Sequence, residues 1–125
     1  GASRALQDRR WDDVVFSSQM AVELSSKSVL LAFGVEFPKQ HDVSGVFREL
    51  SMRRGVPSWF SSRIDGLAGN ISKLAEIRSL AGYAYEQKID RAYFKDYAQT
   101  AYKSARNHVE ACKRLLKETF KVGID

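Results

Sequence analysis

Apolar residues in this chain recur every three or four positions rather than every two, and that spacing predicts helices along its whole length. The clearest run is Phe60, Ile64, Leu67, Ile71 and Leu74, a seam of the kind that packs one helix against its neighbours. Trp11-Asp12-Asp13 opens an earlier helix, with two carboxylates in the first turn where they complement the helix dipole. This helix is expected to run to about Phe33 and stop at Gly34, a residue suited to the left-handed position after a helix end. Val14, Val15, Phe16, Met20, Ala21, Leu24 and Leu31 read as its apolar positions. Ser17, Ser18, Ala21, Ser25, Ser28 and Ala32 give it one side of small residues. Small residues let a second helix come close, which makes this the expected central helix.

Pro38 closes the first linker, from Val35 to Asp42. A short helix follows from Val43 or Ser44 to Met52, and Arg53-Arg54-Gly55-Val56-Pro57 forms a second linker. The seam helix begins near Ser58 and is expected to weaken around Gly82, leaving the segment to Lys88 as a loop. Asp90 is the expected N-cap of the last helix. That helix carries Phe94, Ala98, Ala101, Ala105, Cys112 and Leu116 on one side. Residues 4–9 add a helical fragment at the start. The predicted fold is therefore all-α: an up-and-down bundle of three long helices and one short one, plus a short N-terminal helix. The whole chain, 1–125, reads as one domain. It opens Gly1-Ala2-Ser3 with no initiator Met, so the N-terminal helix reads as truncated.

Composition narrows the setting more than the function. No apolar stretch is long enough for a membrane span, and no leader-like segment opens the chain. One cysteine, Cys112, excludes an internal disulfide, so a reducing compartment is expected, by default the cytoplasm. A net charge of +5 makes anionic partners plausible. Two histidines and one cysteine offer no metal-ligand spacing, so neither a metal nor another cofactor is expected. Cys112 and His108 share the apolar face of the last helix, where a core role is the expected one. Gly66 and Gly69 sit in the helical seam, where small residues serve packing, and not in a phosphate-binding loop.

Basic residues form two groups. Lys103, Arg106, Lys113, Lys117 and Lys121 make a stripe on the last helix, either a phosphate-facing surface or a solvated face. Arg48, Arg53, Arg54 and Arg63 lie around the second linker with Trp59 close by.

The stretch FSSQMAVELSSKSVLLAFGVEFPKQHDV, Phe16 to Val43, resembles the HEPN family (higher eukaryotes and prokaryotes nucleotide-binding). The features that carry the resemblance are Gln19, Ala21, Glu23 and Lys27 on the central helix, its end at Gly34, and then Pro38, His41 and Asp42. Arg10-Trp11-Asp12 also resembles that family's entry into this helix. Gln19, Glu23 and Lys27 stand at i, i+4 and i+8, so each can pair with the next. Asp42 is placed to cap backbone N–H groups and to orient a buried His41.

Many HEPN proteins are metal-independent ribonucleases whose signature is Arg, four to six residues, then His, with two such sites meeting across a homodimer. At the matching place this chain reads Arg78-Ser79-Leu80-Ala81-Gly82-Tyr83-Ala84-Tyr85. Tyr83 stands where an imidazole belongs, and a phenol is a poor proton shuttle near neutral pH. The resemblance therefore implies no catalytic residue. It implies instead a non-catalytic module that binds nucleotide or RNA phosphate, or that partners a small nucleotidyltransferase, as a homodimer. Arg78, Tyr83, Tyr85 and His41 are its candidate ligand-binding residues, with Arg53, Arg54, Lys103 and Arg106 as a basic patch. Two alternatives stand beside it. One is a metal-independent endoribonuclease of a toxin–antitoxin pair, with Arg78 and either His41 or His108 brought together by folding. The other is a structural helical adaptor, which would expose the stripe at Phe60, Ile64 and Leu67.

Overall fold

Glycine and proline mark several of the places where the helices start and stop. A computed structural model of the chain describes residues 1–7, 10–88 and 94–120. Among these residues there are six α-helices and no strand: α1 (Ala2–Gln7), α2 (Trp11–Ala32), α3 (Ser44–Arg48), α4 (Ser58–Ser61), α5 (Ile64–Glu86) and α6 (Lys95–Phe120). A 3₁₀ turn, Glu49–Met52, prolongs α3. Helix α2 ends as predicted. Gly34 has φ +70°, and the Val35 N–H reaches back 2.8 Å to the Leu30 carbonyl. A side chain at such a φ is strained, which is why glycine ends the helix here.

Two boundaries differ from the sequence reading. The seam helix expected from Ser58 is interrupted by a turn at Ser62-Arg63, which divides it into α4 and α5. Helix α5 does not weaken at Gly82 but continues to Glu86, because Ala81 and Ala84 bury on the same face as Ile77 and keep that turn attached to the core. The Asp90 cap and Lys121 fall outside the described residues.

Helix α2 is central, packing along α6 and against α5. The seam residues Phe60, Ile64, Leu67, Ile71 and Leu74 are all buried, as are Phe94, Ala98, Ala101, Ala105, Cys112 and Leu116. The stripe that an adaptor would expose is thus interior. The buried side of α2, however, follows its predicted apolar positions only in part. Ser18, Gln19 and Ser26 are inside with Val14, Val15, Val22, Val29 and Leu30, whereas Met20, Leu24 and Leu31 are 38%, 57% and 69% exposed. Of the expected small-residue side, Ser18 is buried and Ser17, Ala21 and Ser25 are half-buried, whereas Ser28 and Ala32 are exposed, so it meets a neighbouring helix only along its first part. Gly66 and Gly69 also differ: both are exposed, and a Cβ at either would touch nothing. They do not serve packing. None of the helices is long and apolar enough to cross a membrane.

Candidate anion-binding site

A ridge of polar side chains runs along α2 toward α5 and the α2–α3 linker. One helical turn separates Gln19 from Glu23, and another separates Glu23 from Lys27, so the three stand in a row. The Gln19 amide Nε2 donates to Glu23 Oε1 at 2.8 Å, and Lys27 Nζ donates to Glu23 Oε2 at 2.9 Å. His41, brought over by the linker turn, places Nδ1 2.7 Å from Glu23 Oε1. Burial pushes the Glu23 carboxyl up, but hydrogen bonds from Gln19, Lys27 and His41, with the Lys27 charge, outweigh it and hold the group at about 2. Glu23 is thus an ionised hub.

Arg78 joins the ridge at its other end. Its Nη1 donates to the Gln19 carbonyl oxygen, and its guanidinium lies over the Phe16 ring at 5.5 Å. A guanidinium carries five N–H donors. Gln19 takes up one of them, and among the described residues no carboxylate bonds to Arg78. The side chain is partly buried and held by Gln19 beside the Phe16 ring, so the remaining donors make a fork suited to phosphate or carboxylate oxygens.

The other expected ligand residues are only partly assembled around this fork. Tyr85 follows Arg78 by seven residues, nearly two full turns of α5, and so stands on the same face. Tyr83 is rotated about 140° away. Both are largely exposed. His41 belongs to the same ridge but does not touch Arg78, since Gln19 and Glu23 lie between them. It is exposed rather than buried, and the carboxylate that orients it is Glu23, not Asp42. Asp42 instead accepts the Ser44 N–H at 2.9 Å. Burial pushes the Asp42 carboxyl up, and the Ser44 and Ser72 hydrogen bonds more than offset this, leaving it lowered.

His108 is fully buried, with Nε2 2.7 Å from Ser26 Oγ and its ring against Phe47 at 5.7 Å. Burial, with Arg63 nearby, lowers it to about 4, so it is neutral and sealed from any substrate. Cys112 is buried beside it, its thiol pushed up to about 12 by burial. Its thiolate is out of reach at physiological pH.

The basic patch divides. Arg53 and Arg54 are exposed on the linker before α4, and Lys103 and Arg106 lie on α6. Lys103 and Arg106 meet the side of α2 that carries Trp11, Ser17 and Ser18, away from Phe16 and Gln19. Among the described residues, no group of three or more His, Cys, Asp or Glu side chains could hold a metal ion. Sequence reasoning missed Phe16 as the platform under Arg78. The signal was available: Phe16 precedes Gln19 by three residues and so shares its face.

The ridge reproduces, in space, the Gln19–Glu23–Lys27–His41 pattern on which the resemblance rested. The HEPN domain model matches residues 1–115, nearly the entire chain. The chain belongs to the HEPN family. A curated relative of this HEPN chain is the protein named "Putative toxin MJ1304" from Methanocaldococcus jannaschii. The two are 29% identical over 120 residues, covering 92% of this chain and 78% of that protein. No solved structure matches this HEPN chain.

Proposed function

We propose that this HEPN domain is the module of a toxin–antitoxin pair that grips a nucleotide or RNA phosphate through Arg78 without cleaving it. It would act as a homodimer or as the partner of a small nucleotidyltransferase. The observation that carries the reading is the state of Arg78: a guanidinium held by Gln19 beside the Phe16 ring, with donors left over and no imidazole in contact. A fork of this kind holds an anion, whereas strand cleavage also needs a group that moves protons at neutral pH. Tyr85 on the same face supplies an exposed ring on which a base can stack. The exposed Met20, Leu24 and Leu31 offer an apolar strip on α2 for a second subunit. The relative's name favours a toxin–antitoxin setting.

Titration of fluorescently labelled ATP and of a short labelled RNA at low salt tests the reading. Arg78→Ala should weaken binding by about 10- to 100-fold, the range for losing a charge-assisted bidentate contact. Equal binding before and after Arg78→Ala in a protein whose α6 cations Lys103 and Arg106 are already replaced by alanine, or no binding by either, refutes the assignment.

A ribonuclease reading is favoured by one feature: His41 is exposed and oriented by a carboxylate, as a general base is in many hydrolases. Metal-free cleavage of RNA by the wild type that is lost in both Arg78→Ala and His41→Ala would establish it in place of the first reading.

A further inference from the structure

The basic stripe of α6 takes no part in the Arg78 ridge, yet it does not lie on a featureless surface. It borders a groove between α6 and the far side of α2. Two cavities make up this groove, of about 310 and 560 Å³, and Tyr102 and Arg106 line both. Each lies within or near the range of small-molecule sites, roughly 300–1,000 Å³.

The larger cavity is walled by Trp11 and Tyr102, with Gln99 and Lys103 completing it. Trp11 is 9% exposed and backs the cavity, so the half-buried Tyr102 ring and the Gln99 amide are the groups on which a planar heterocycle can lie and be hydrogen-bonded at its edge. The smaller cavity is floored by Ser17, Ser18 and Ala21 and rimmed by Arg106, Lys113 and Glu110. Ser18 is 1% exposed, and its hydroxyl has no hydrogen-bond partner. A buried hydroxyl without a partner is uncommon and marks a place where one is wanted. Arg106 makes only a long contact with Glu110, 3.5 Å, while Lys103 and Lys113 carry no ion pair among the described residues. Three cations against one carboxylate leave the groove positive.

We propose that this groove is a second anion site, for a nucleoside phosphate, with the base against Tyr102 and the phosphate held by Arg106 with Lys103 and Lys113. The site stands apart from Arg78 and does not rest on the function proposed above. Helix α2 lies between the two, presenting Phe16 and Gln19 to one and Ser17, Ser18 and Ala21 to the other.

Trp11 and Trp59 are the two tryptophans of the chain. A Trp59→Phe protein therefore reports on Trp11 alone, at the groove wall. AMP and a 5′-phosphorylated tetranucleotide RNA are titrated into it at low salt while Trp11 emission is followed. The expected result is a saturable change. Lys103→Ala combined with Arg106→Ala should weaken it at least tenfold, and Arg78→Ala should leave it unchanged, which separates this site from the other. Equal affinity for the two probes assigns the groove to free nucleotide, and a tenfold preference for the tetranucleotide assigns it to an RNA end. No saturable change with either probe, or a change untouched by the double substitution, overturns the proposal. So does loss of the change in Arg78→Ala. Circular dichroism of each variant confirms that the helices remain.

Discussion

Acid should unfold this protein in a way that begins with one residue, His108. The ring has no exposed surface, sits against Phe47, and is lowered to about 4 by burial and by the Arg63 charge. An unfolded histidine takes up its proton near pH 6.5. Between these two values the unfolded chain holds a proton that the folded chain refuses, so stability falls as pH drops. The loss starts near pH 6.5 and is complete near pH 4, below which both states are protonated. A displacement of this size corresponds to roughly 3 kcal/mol at about 1.4 kcal/mol per unit. Against a total stability typically of about 5–15 kcal/mol, that is enough to move an unfolding midpoint visibly. Urea denaturation at half-unit steps from pH 7.5 to 4.5 measures it. His108→Leu should be less stable at pH 7, by about 1–2 kcal/mol for the orphaned Ser26 hydroxyl and imperfect fill, but should lose most of the pH slope. If His108→Leu keeps the wild-type slope, or the wild type shows none in this interval, His108 is not the buried neutral group described here.

Three further outcomes follow from the packing and the ridge. Glu23 has its folded value lowered to about 2, so its contribution is present above about pH 4.5 and disappears as pH falls toward 2; Glu23→Gln should cost on the order of 1–2 kcal/mol at pH 7 by urea unfolding, and the deficit should shrink below pH 4. Phe60→Ala removes a fully buried ring that meets both Phe47 and Trp59, and about 3–5 kcal/mol of destabilisation is expected, read as a lower thermal midpoint. Cys112, buried with its thiol raised to about 12, should resist iodoacetamide in the native protein at pH 8 and react fully once urea unfolds it, as mass spectrometry would show.

The fold was legible where side-chain size and spacing point the same way. Phe60 through Leu74 are large, regularly placed and all interior, and Gly34 ends α2 because its left-handed φ suits no other residue as well. Reading failed where the central helix buries small polar groups. Gln19 and Ser26 look like surface positions by polarity, yet they bond Arg78 of α5 and His108 of α6, and Met20, Leu24 and Leu31 are left outside. Hydropathy measures transfer from water and knows nothing of the hydrogen-bond partner that a neighbouring helix supplies. Gly82 misled for a related reason: a glycine weakens a helix by about 1 kcal/mol, less than the burial of Ala81 and Ala84 on the neighbouring positions returns. In the site, Gln19, Glu23 and Lys27 could be joined from spacing alone, whereas the approach of Arg78 and His41 depends on α5 and the linker meeting α2. No local pattern encodes that meeting.

What the ridge does for Arg78 follows from the chemistry of an amide. Gln19 offers its carbonyl oxygen to the guanidinium and its NH₂ to Glu23. Turning the amide over would set N–H groups against a cation and a carbonyl against a carboxylate, so the ionised state of Glu23 dictates which way Gln19 faces. Lys27 and His41, on the far side of Glu23, help keep that carboxylate charged and immobile. The orientation of Arg78 is therefore set through Gln19, whose amide is in turn oriented by Glu23, with Lys27 and His41 behind it, residues that do not touch the arginine. A purely structural arginine on a helix surface needs no such chain of support, because solvent satisfies its donors at little cost. Support of this depth makes sense for a guanidinium whose spare donors must already be aimed before an anion arrives, since a preset donor spends less of its binding energy on ordering itself.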